Sequence, residues 1–253
     1  IKEYQNTYGI EISTSRVKEA VQVLQGHFVS KEAEYQKYCQ IDILENDPAG
    51  MIKRLQSYTE RLTHIPFYTQ VEDIIKVGIA RYKEKYLPGI KSEDPFVLYE
   101  KYSRRDVSLL MNCGKDLSSI MYGMKRIEND VFIFITYHKE ESQDEKNYID
   151  GKPDYADAFE DNLIFKWDSQ IGKGLDSSYM KDVLGADRKH LFVKKSDAET
   201  SFYYMGQFDV LEARNAQKED NRGRMQPITK VTMKMHHAVR EDLLRYLQSH
   251  ITA

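Results

Sequence analysis

The sequence predicts an α+β fold in which helices precede a strand-rich region. Apolar residues at helical spacing dominate residues 1–95, whereas β-branched and aromatic runs of strand length dominate residues 96–253. Strands and crossover helices do not alternate, which favours an antiparallel, barrel-like β domain with flanking helices over a parallel α/β sheet. We therefore predict a helical bundle or connector over 1–95, followed by the barrel-like domain over 96–253.

Three apolar stripes indicate the helices of the N-terminal part. The apolar residues of these stripes lie within 17–28, 51–62 and 71–82. Hydroxyls at 13–15 can cap the first helix, and Asp47-Pro48 supplies a cap and a first-turn proline for the second. The third helix is expected to follow Pro66 and to end near Leu87-Pro88-Gly89.

Four runs in the second part are predicted as strands. They are VFIFITY (131–137), HLFVKK (190–195), FYYMGQFDVL (202–211) and ITKVTMKMH (228–236). The residues 196–200 between the second and third runs are typical of a hairpin turn. An apolar stripe from Val239 to Ile251 predicts a closing helix.

Composition limits the classes of function. The 253 residues carry 37 Lys+Arg against 40 Asp+Glu, a formal net charge of −3, so a nucleic-acid surface would have to be a local patch. Cys39 and Cys113 lack metal or redox spacing and are interpreted as free thiols in a reducing compartment. No apolar run reaches membrane-spanning length. The start, which lacks methionine and a signal-peptide pattern, is expected to be internal to a longer polypeptide.

Known catalytic patterns do not occur in the sequence. No Walker loop is present, and the seven histidines show no ligand spacing, so we predict no metal site, no cofactor and no enzymatic activity. His236-His237 would point to opposite faces of a strand. Nine carboxylates in 140–161 are interpreted as a solvated insertion, with a divalent-dependent nuclease centre at Asp154 and Asp157 as the alternative.

The segment 98–123 contains the most suggestive motif. Arg104 and Arg105 follow Ser103 at a predicted helix start, where backbone N–H groups and two guanidinium groups would make a seat for phosphate. An ordinary helix start, with Ser103 as the cap and Asp106 in the first turn, explains the same residues.

Further cations and rings are typical of a nucleic-acid face, because phosphates attract cations and unstacked bases attract aromatic faces. The predicted nucleic-acid-binding residues are Arg104, Arg105, Tyr137, His138, Lys139, Phe165, Trp167, Ser169, Gln170, Lys194 and Lys195. Arg214, Lys218, Arg222 and Arg224 add a basic loop. Core packing of the tryptophan and edge protection by the lysines are the structural alternatives.

Seven blocks in order carry a resemblance to a known family. They are YSRRDVSLLMN, SSIMYG, FIFITYHK, YADAF, FKWDSQ, LFVKKSD with FYYMG, and VREDLLRYL. This order over 96–251 resembles a domain of unknown function found at the C-terminus of bacterial DEAD/DEAH-type superfamily-two helicases of restriction or phage-defence type. The segment 1–95 is similar to the region that follows the motor in those proteins. The chain departs from the family at Cys113, where tryptophan is usual, and at Gln170, where a basic residue is frequent.

The resemblance implies a cytoplasmic, helicase-associated module. Family positions that carry over are Tyr102, Ser103, Arg104, Asp106, Val107, Tyr137, His138, Lys139, Tyr155, Phe159, Trp167, Ser169, Lys194 and Lys195. We predict a non-catalytic module that reads a specific or modified site in duplex DNA and partners the helicase motor of the same polypeptide, without a membrane role. A protein-interaction or autoinhibitory module is the alternative.

Overall fold

The structure, a computed structural model, describes most of the chain. The described residues are 13–29, 34, 36–37, 42–46, 52–85, 94–138, 148–149, 152–153, 157–220 and 222–249. The chain divides into two compact units, which are Ile1–Pro95 with Arg105–Leu117 and Phe96–Arg104 with Ser118–Ala253. Within the described ranges, no helix has the length and apolar character needed to cross a bilayer.

Six α-helices lie in the described part of the chain. They are α1 Thr14–Leu24, α2 Gln56–Arg61, α3 Ile65–Lys85, α4 Arg104–Leu110, α5 Ser178–Leu184 and α6 Glu241–Gln248. The expected cap of α1 is present, since Ser13 Oγ accepts a hydrogen bond from Arg16 N–H at 3.3 Å. Helix α3 begins one residue before Pro66, so this proline occupies the first turn, where its missing N–H has no intrahelical acceptor.

Twelve strands are described. They are β1 Leu44–Asn46, β2 Ile52–Arg54, β3 Lys101–Tyr102, β4 Met124–Ile127, β5 Asp130–His138, β6 Tyr148–Ile149, β7 Lys152–Pro153, β8 Ala158–Phe159, β9 Ile164–Asp168, β10 Arg188–Ser196, β11 Phe202–Glu219 and β12 Met225–Met235. Eight of them form one large sheet in the order β4-β5-β10-β11-β12-β9-β8, with β3 paired to β11. All four strands expected from the second part of the sequence are therefore confirmed, and so is the α+β class.

The predicted helix over 51–62 is wrong at its beginning. Residues 52–54 form β2, which pairs antiparallel with β1 from Leu44↔Arg54 to Asn46↔Ile52, and α2 starts only at Gln56. The hairpin satisfies the backbone groups of 52–54 in a ladder, so tertiary pairing overrides the helical spacing of their side chains. The expected cap at Asp47-Pro48 lies outside the described residues.

The large sheet is mixed rather than fully antiparallel. Strands β5 and β10 run parallel from Asp130↔Arg188 to His138↔Ser196, and the other pairs of the sheet are antiparallel. The long connection between β5 and β10 permits this crossover. In the described residues the sheet ends at β4 and β8 without closing, so "barrel-like" describes it only loosely.

Alternation along the central strands gives the sheet two buried faces. On one face an aromatic cluster surrounds Phe96, whose ring lies 5.3 Å from Phe192 and 5.2 Å from Tyr204. His190 belongs to this cluster and stacks on Phe132 at 4.8 Å. The other face forms an apolar core that includes Trp167 and the buried residues of α5 and α6. Continuous apolar runs in β5 and β10 follow from this two-sided burial.

An ion pair to the buried carboxylate of Asp130 joins β5 and β10 where their parallel ladder begins, and its removal gives a first prediction. Arg188 Nε and Nη2 each donate to the Asp130 carboxylate at 2.7 Å, and Asp130 is only 3% exposed. Arg188→Met should lower the free energy of unfolding by about 2–3 kcal/mol, because a buried carboxylate loses its counterion. Denaturant unfolding measures the change. Arg245→Met, at an exposed residue, should change the free energy of unfolding by less than about 0.5 kcal/mol. Equal losses of stability in the two variants would contradict the stabilising role of the Arg188–Asp130 ion pair.

Candidate nucleic-acid interface

Arg105 is held by carboxylates of its own unit. Its guanidinium donates to Glu34 Oε1 and Oε2 at 2.8 and 2.9 Å and to Asp116 Oδ2 at 2.8 Å. The hydrogen bonds to Glu34 raise the pKa of Arg105 more than its partial burial lowers it, and Asp116 adds to the increase. This bidentate arrangement anchors α4 within its unit and occupies the donors that a phosphate would need.

Arg104 lies among three aromatic rings. Its Cζ lies 4.8 Å from the ring centre of Tyr122, 5.0 Å from that of Phe202 and 5.5 Å from that of Phe134. Burial lowers the pKa of this guanidinium, while the favourable interaction with Tyr122 opposes the shift. Cation–π contacts of this kind hold the side chain against the sheet.

Lys194 and Lys195 both donate hydrogen bonds to Glu199. Lys194 Nζ donates to the carbonyl of Glu199 at 2.9 Å and lies 5.3 Å from the ring centre of Phe202. Lys195 N–H donates to Glu199 Oε2 at 2.8 Å, and its Nζ donates to Ser249 Oγ at 2.7 Å. Both lysines thereby brace the turn between β10 and β11.

The predicted stacking residues are interior. Phe165 and Trp167 share one side of β9, as expected, but they are 0% and 4% exposed and pack in the apolar core. Tyr137 is also buried, and burial raises its pKa. The prediction that these rings present a face to bases is therefore wrong, because the alternation that aligns them points them inward. His138 Nε2 is 2.7 Å from the Leu247 carbonyl; Lys139 lies outside the described residues.

Ser169 and Gln170 differ in exposure. Ser169 Oγ is buried, donates to the Lys173 carbonyl at 2.6 Å and accepts from Thr229 N–H at 2.8 Å. Gln170 is exposed and donates from Nε2 to the Tyr122 carbonyl at 3.2 Å. It can lie there because Gly123 has no Cβ, which would approach Gln170 Nε2 to 2.6 Å. Among the predicted residues that the structure describes, Gln170 is thus the one at an open surface.

The structure offers a different basic surface, which we call the arm and define as residues 214–230. It is the outer part of the β11–β12 hairpin, paired from Arg214↔Lys230 to Glu219↔Met225. It carries five cationic and two acidic side chains, a formal charge of +3 in a chain of net charge −3. Most of its outer residues, from Gln217 through Pro227, are exposed.

One acidic residue organises the turn of the arm. Asp220 Oδ1 accepts the N–H groups of Arg222 and Arg224 at 2.9 and 3.0 Å, and Oδ2 accepts from Arg224 Nε at 2.9 Å. These bonds lower the pKa of Asp220. Gly223 supplies the positive φ of +73° that the turn requires. These hydrogen bonds give the described residues of the turn a defined conformation.

The base of the arm is braced by the loop between β9 and α5. Gly172 N–H donates to the Pro227 carbonyl at 2.9 Å, and Leu175 N–H donates to Asn215 Oδ1 at 2.8 Å. Thr229 is fully buried at this junction. The loop thus fixes the direction of the arm, and it contains the Gly172/Gly174 pair that has no phosphate-loop context in the sequence.

One face of the arm is continuous with a cleft of about 360 Å³. Residues opposite one another in the register share a face, so this outer face carries Lys218, Arg214, Lys230 and, on β9, Lys166. Carboxylates accompany the inner three cations: Glu160 at 3.3 Å from Lys166, Asp168 at 3.6 Å from Lys230 and Glu212 at 3.8 Å from Arg214. Burial raises the pKa of Asp168, and the charges of Lys230 and Lys218 oppose this increase.

The arm contains the basic residues that were predicted from the sequence only as an addition to the nucleic-acid-binding residues. The sequence predicted a basic loop that contains Arg214, Lys218, Arg222 and Arg224. It did not predict a role for Lys230 of the arm or for Lys166 on the neighbouring strand β9. The available signal was the alternation of cations with small or polar residues on both sides of Gly223. In the described part of the chain no cluster of three or more potential metal ligands occurs.

Comparison with protein-family models identifies the family of this chain. The model of a domain of unknown function, DUF3427, matches residues 96–247. The chain belongs to the DUF3427 family. A second domain of unknown function, DUF8090, matches residues 1–86. The uncharacterised family expected from the sequence is confirmed by the DUF3427 match, whereas the helicase parent stays a prediction. No curated protein matches the chain.

Three solved structures show weak similarity to this DUF3427 protein. The MspJI restriction endonuclease in complex with a 27-mer oligonucleotide is 11% identical with a TM-score of 0.30, and the match covers 46% of this chain and 37% of that chain. The sulfur binding and SRA domains of ScoMcrA complexed with phosphorothioated DNA are 10% identical with a TM-score of 0.31, and the match covers 61% of this chain and 45% of that chain. Arabidopsis thaliana SUVH6 in complex with SAM is 12% identical with a TM-score of 0.40, and the match covers 93% of this chain and 42% of that chain. The chain spans less than half of each. Likenesses of this size decide nothing about function.

Truncation of the buried tryptophan tests its core role. Trp167→Ala should lower the free energy of unfolding by about 3–5 kcal/mol, because it removes a large side chain from a packed interior. Tyr122→Ala, at a ring that is 65% exposed, should cost less than about 1 kcal/mol. Chemical denaturation gives these free energies of unfolding. Circular dichroism follows the unfolding of both variants, and intrinsic fluorescence also follows that of Tyr122→Ala, which keeps Trp167. A small loss for Trp167→Ala would contradict the assignment.

Glu199 gives a prediction about pH. Burial opposes its ionisation, but hydrogen bonds from Lys101, Lys195 N–H and Tyr246 outweigh burial and lower its pKa. A lowered carboxyl pKa stabilises the fold above the unfolded pKa of about 4.3, and this contribution disappears as pH falls through the folded value.

Wild type should therefore exceed Glu199→Gln in stability by about 1 kcal/mol at neutral pH. The difference should vanish below the folded pKa of Glu199. Urea unfolding between pH 7 and pH 3 measures it, with the exposed Glu241→Gln as the control. A difference that is independent of pH would contradict the ionic role.

Proposed function

We propose that the DUF3427 domain of this chain is a non-catalytic DNA-recognition module that binds duplex DNA through the outer face of the arm. The observation that carries the proposal is the positive charge of the arm, with its cations projected into solvent, in a protein without net positive charge. DNA carries one negative charge per about 1.7 Å of helix axis, so a rigid row of cations is electrostatically complementary to it.

The other cations of the domain are less suited to this role. Arg104 lies against three rings, and Lys194 and Lys195 brace a turn. Arg214 and Lys218, in contrast, are exposed on a projecting ribbon, and the nearest acidic group to Arg214 is Glu212 at 3.8 Å, in an exposed pair. Exposed pairs of this kind are weak, so a phosphate can compete with the carboxylate.

The wider setting is also part of the proposal. The resemblance to domains that follow helicase motors supports a cytoplasmic restriction or phage-defence protein, in which this module directs a motor to a specific or modified site. Because the arm is the projecting part of the unit, it can contact DNA while the rest of the domain keeps its own packing.

The salt dependence of binding tests the proposal on the 253-residue chain. The wild type should bind a fluorescently labelled duplex at low salt, with log K falling linearly against log salt concentration. Arg214→Gln/Lys218→Gln should reduce that slope by about 2, since each lost phosphate contact removes about 0.9. Anisotropy titrations measure both quantities.

The matched control removes the same charge elsewhere in the same unit. Lys181→Gln on α5 and Arg245→Gln on α6, both exposed, are combined in one variant and should leave the slope unchanged. Absence of binding at low salt, or equal effects of both double variants, would rule out the arm as the DNA-binding surface. Intact duplex after incubation with Mg²⁺ is expected for a non-catalytic module, and cleavage would contradict that part of the proposal.

A further inference from the structure

The arm protrudes as a two-stranded ribbon. The ladder between β9 and β12 ends at Lys230↔Asp168. Beyond this point, the described residues of β11 and β12 form a strand ladder only with each other. The bracing loop reaches Asn215 and also Pro227, which pairs with Gln217, so strand β11 is free of the loop only from Lys218 to Glu219 before the turn. At about 3.3 Å per residue this free part extends roughly 7 Å beyond Gln217, excluding the turn.

These dimensions fit one groove of B-form DNA. The major groove is about 12 Å wide and about 8.5 Å deep and admits a two-stranded β-ribbon, whereas the minor groove is only about 6 Å wide. With the turn added, the free part of the arm reaches about the depth of the major groove, so the turn can contact the base edges while the base of the ribbon stays outside.

The chemistry of the turn suits base edges. Arg222 is exposed, and among the described residues its guanidinium has no hydrogen-bond or ion-pair partner, while its backbone is fixed by Asp220. Met225, the first residue of β12 beside the turn, is 59% exposed. An arginine can donate to guanine O6 and N7, and an apolar side chain can contact the thymine methyl group; both features lie in the major groove.

We propose, resting on the proposed function, that the arm inserts its turn into the major groove of duplex DNA. Arg222 and Met225 contact base edges there, while Arg214, Lys218 and Lys230 on the outer face contact phosphates at the groove wall. Phosphate contacts then position the arm, and the turn supplies the discrimination between sequences. A-form RNA, whose major groove is deep and narrow, excludes the ribbon.

Methylation by dimethyl sulfate tests the groove directly, because one reagent modifies guanine N7 in the major groove and adenine N3 in the minor groove. The complex of the 253-residue chain with a mixed-sequence DNA duplex of several helical turns is probed at saturating protein. We expect protection at guanine N7 and unchanged reactivity at adenine N3. Arg222→Ala/Met225→Ala should lose the N7 protection and weaken binding about tenfold, within the range of one good base contact.

Lys181→Ala/Leu184→Ala on α5 is the matched control, since it also removes one exposed cation and one exposed apolar side chain. It should leave both the N7 protection and the affinity at their wild-type values, and binding of an RNA duplex should not respond to the turn variant.

The outcomes separate the two proposals. DNA binding with adenine N3 protected, with neither position protected, or with N7 protection that survives Arg222→Ala/Met225→Ala would overturn the groove assignment and leave the proposed function standing. Failure to bind duplex DNA at all at low salt would remove the proposed function itself. Thermal unfolding of each variant confirms that the substitutions, all at exposed positions, leave the fold intact.

Discussion

The ladder between β11 and β12 is the constraint on which both the core and the arm depend. One half of β11 lies in the sheet between β10 and β12, and the other half continues outward as the arm. A bulge between Val210 and Glu212 leaves Leu211 unmatched, where it is 57% exposed. Because one extra residue reverses the alternation, the bulge decides which face the residues beyond it occupy, and it also bends the strand. The placement of the arm's cations thus follows from one register shift inside an otherwise regular ladder.

The same ladder explains why cations near the sheet and cations on the arm behave differently. Close to the sheet the local surroundings supply partners, as Asp130 does for Arg188 and as the turn at Glu199 does for Lys194. Burial makes such pairing obligatory, since an unpaired charge in a poorly solvated place is costly. The outer cations of the ribbon, such as Lys218 and Arg222, are exposed to solvent, so they need no buried partner. Positive charge can therefore accumulate there without a loss of stability, and it stays available to an external anion.

The elements that could be predicted from the sequence are those whose signal is local. Strand β5 and the inner half of β11 are apolar or aromatic runs, and their existence followed from composition. The outer half of β11 has polar side chains on both faces and lacks that signal. Parallel pairing of β5 with β10, and the strand at 52–54, depend on partners distant in sequence. Arg105 was predicted to bind phosphate for the same reason, because Glu34 and Asp116, which accept hydrogen bonds from its guanidinium, could not be placed from the sequence.

Near-zero net charge does not weaken a charge-based function when the charge is placed on a projection. At physiological ionic strength the Debye length is about 8 Å, whereas the ladder from Arg214 to Glu219 separates the base of the arm from its turn by roughly 17 Å. Carboxylates at the base, such as Glu160 and Asp168, are then largely screened from the turn. A DNA duplex approaching the end of the arm meets Arg222 and Arg224 before it meets the acidic groups of the sheet. The geometry of the ribbon, rather than the total charge of the chain, determines the field that a polyanion encounters.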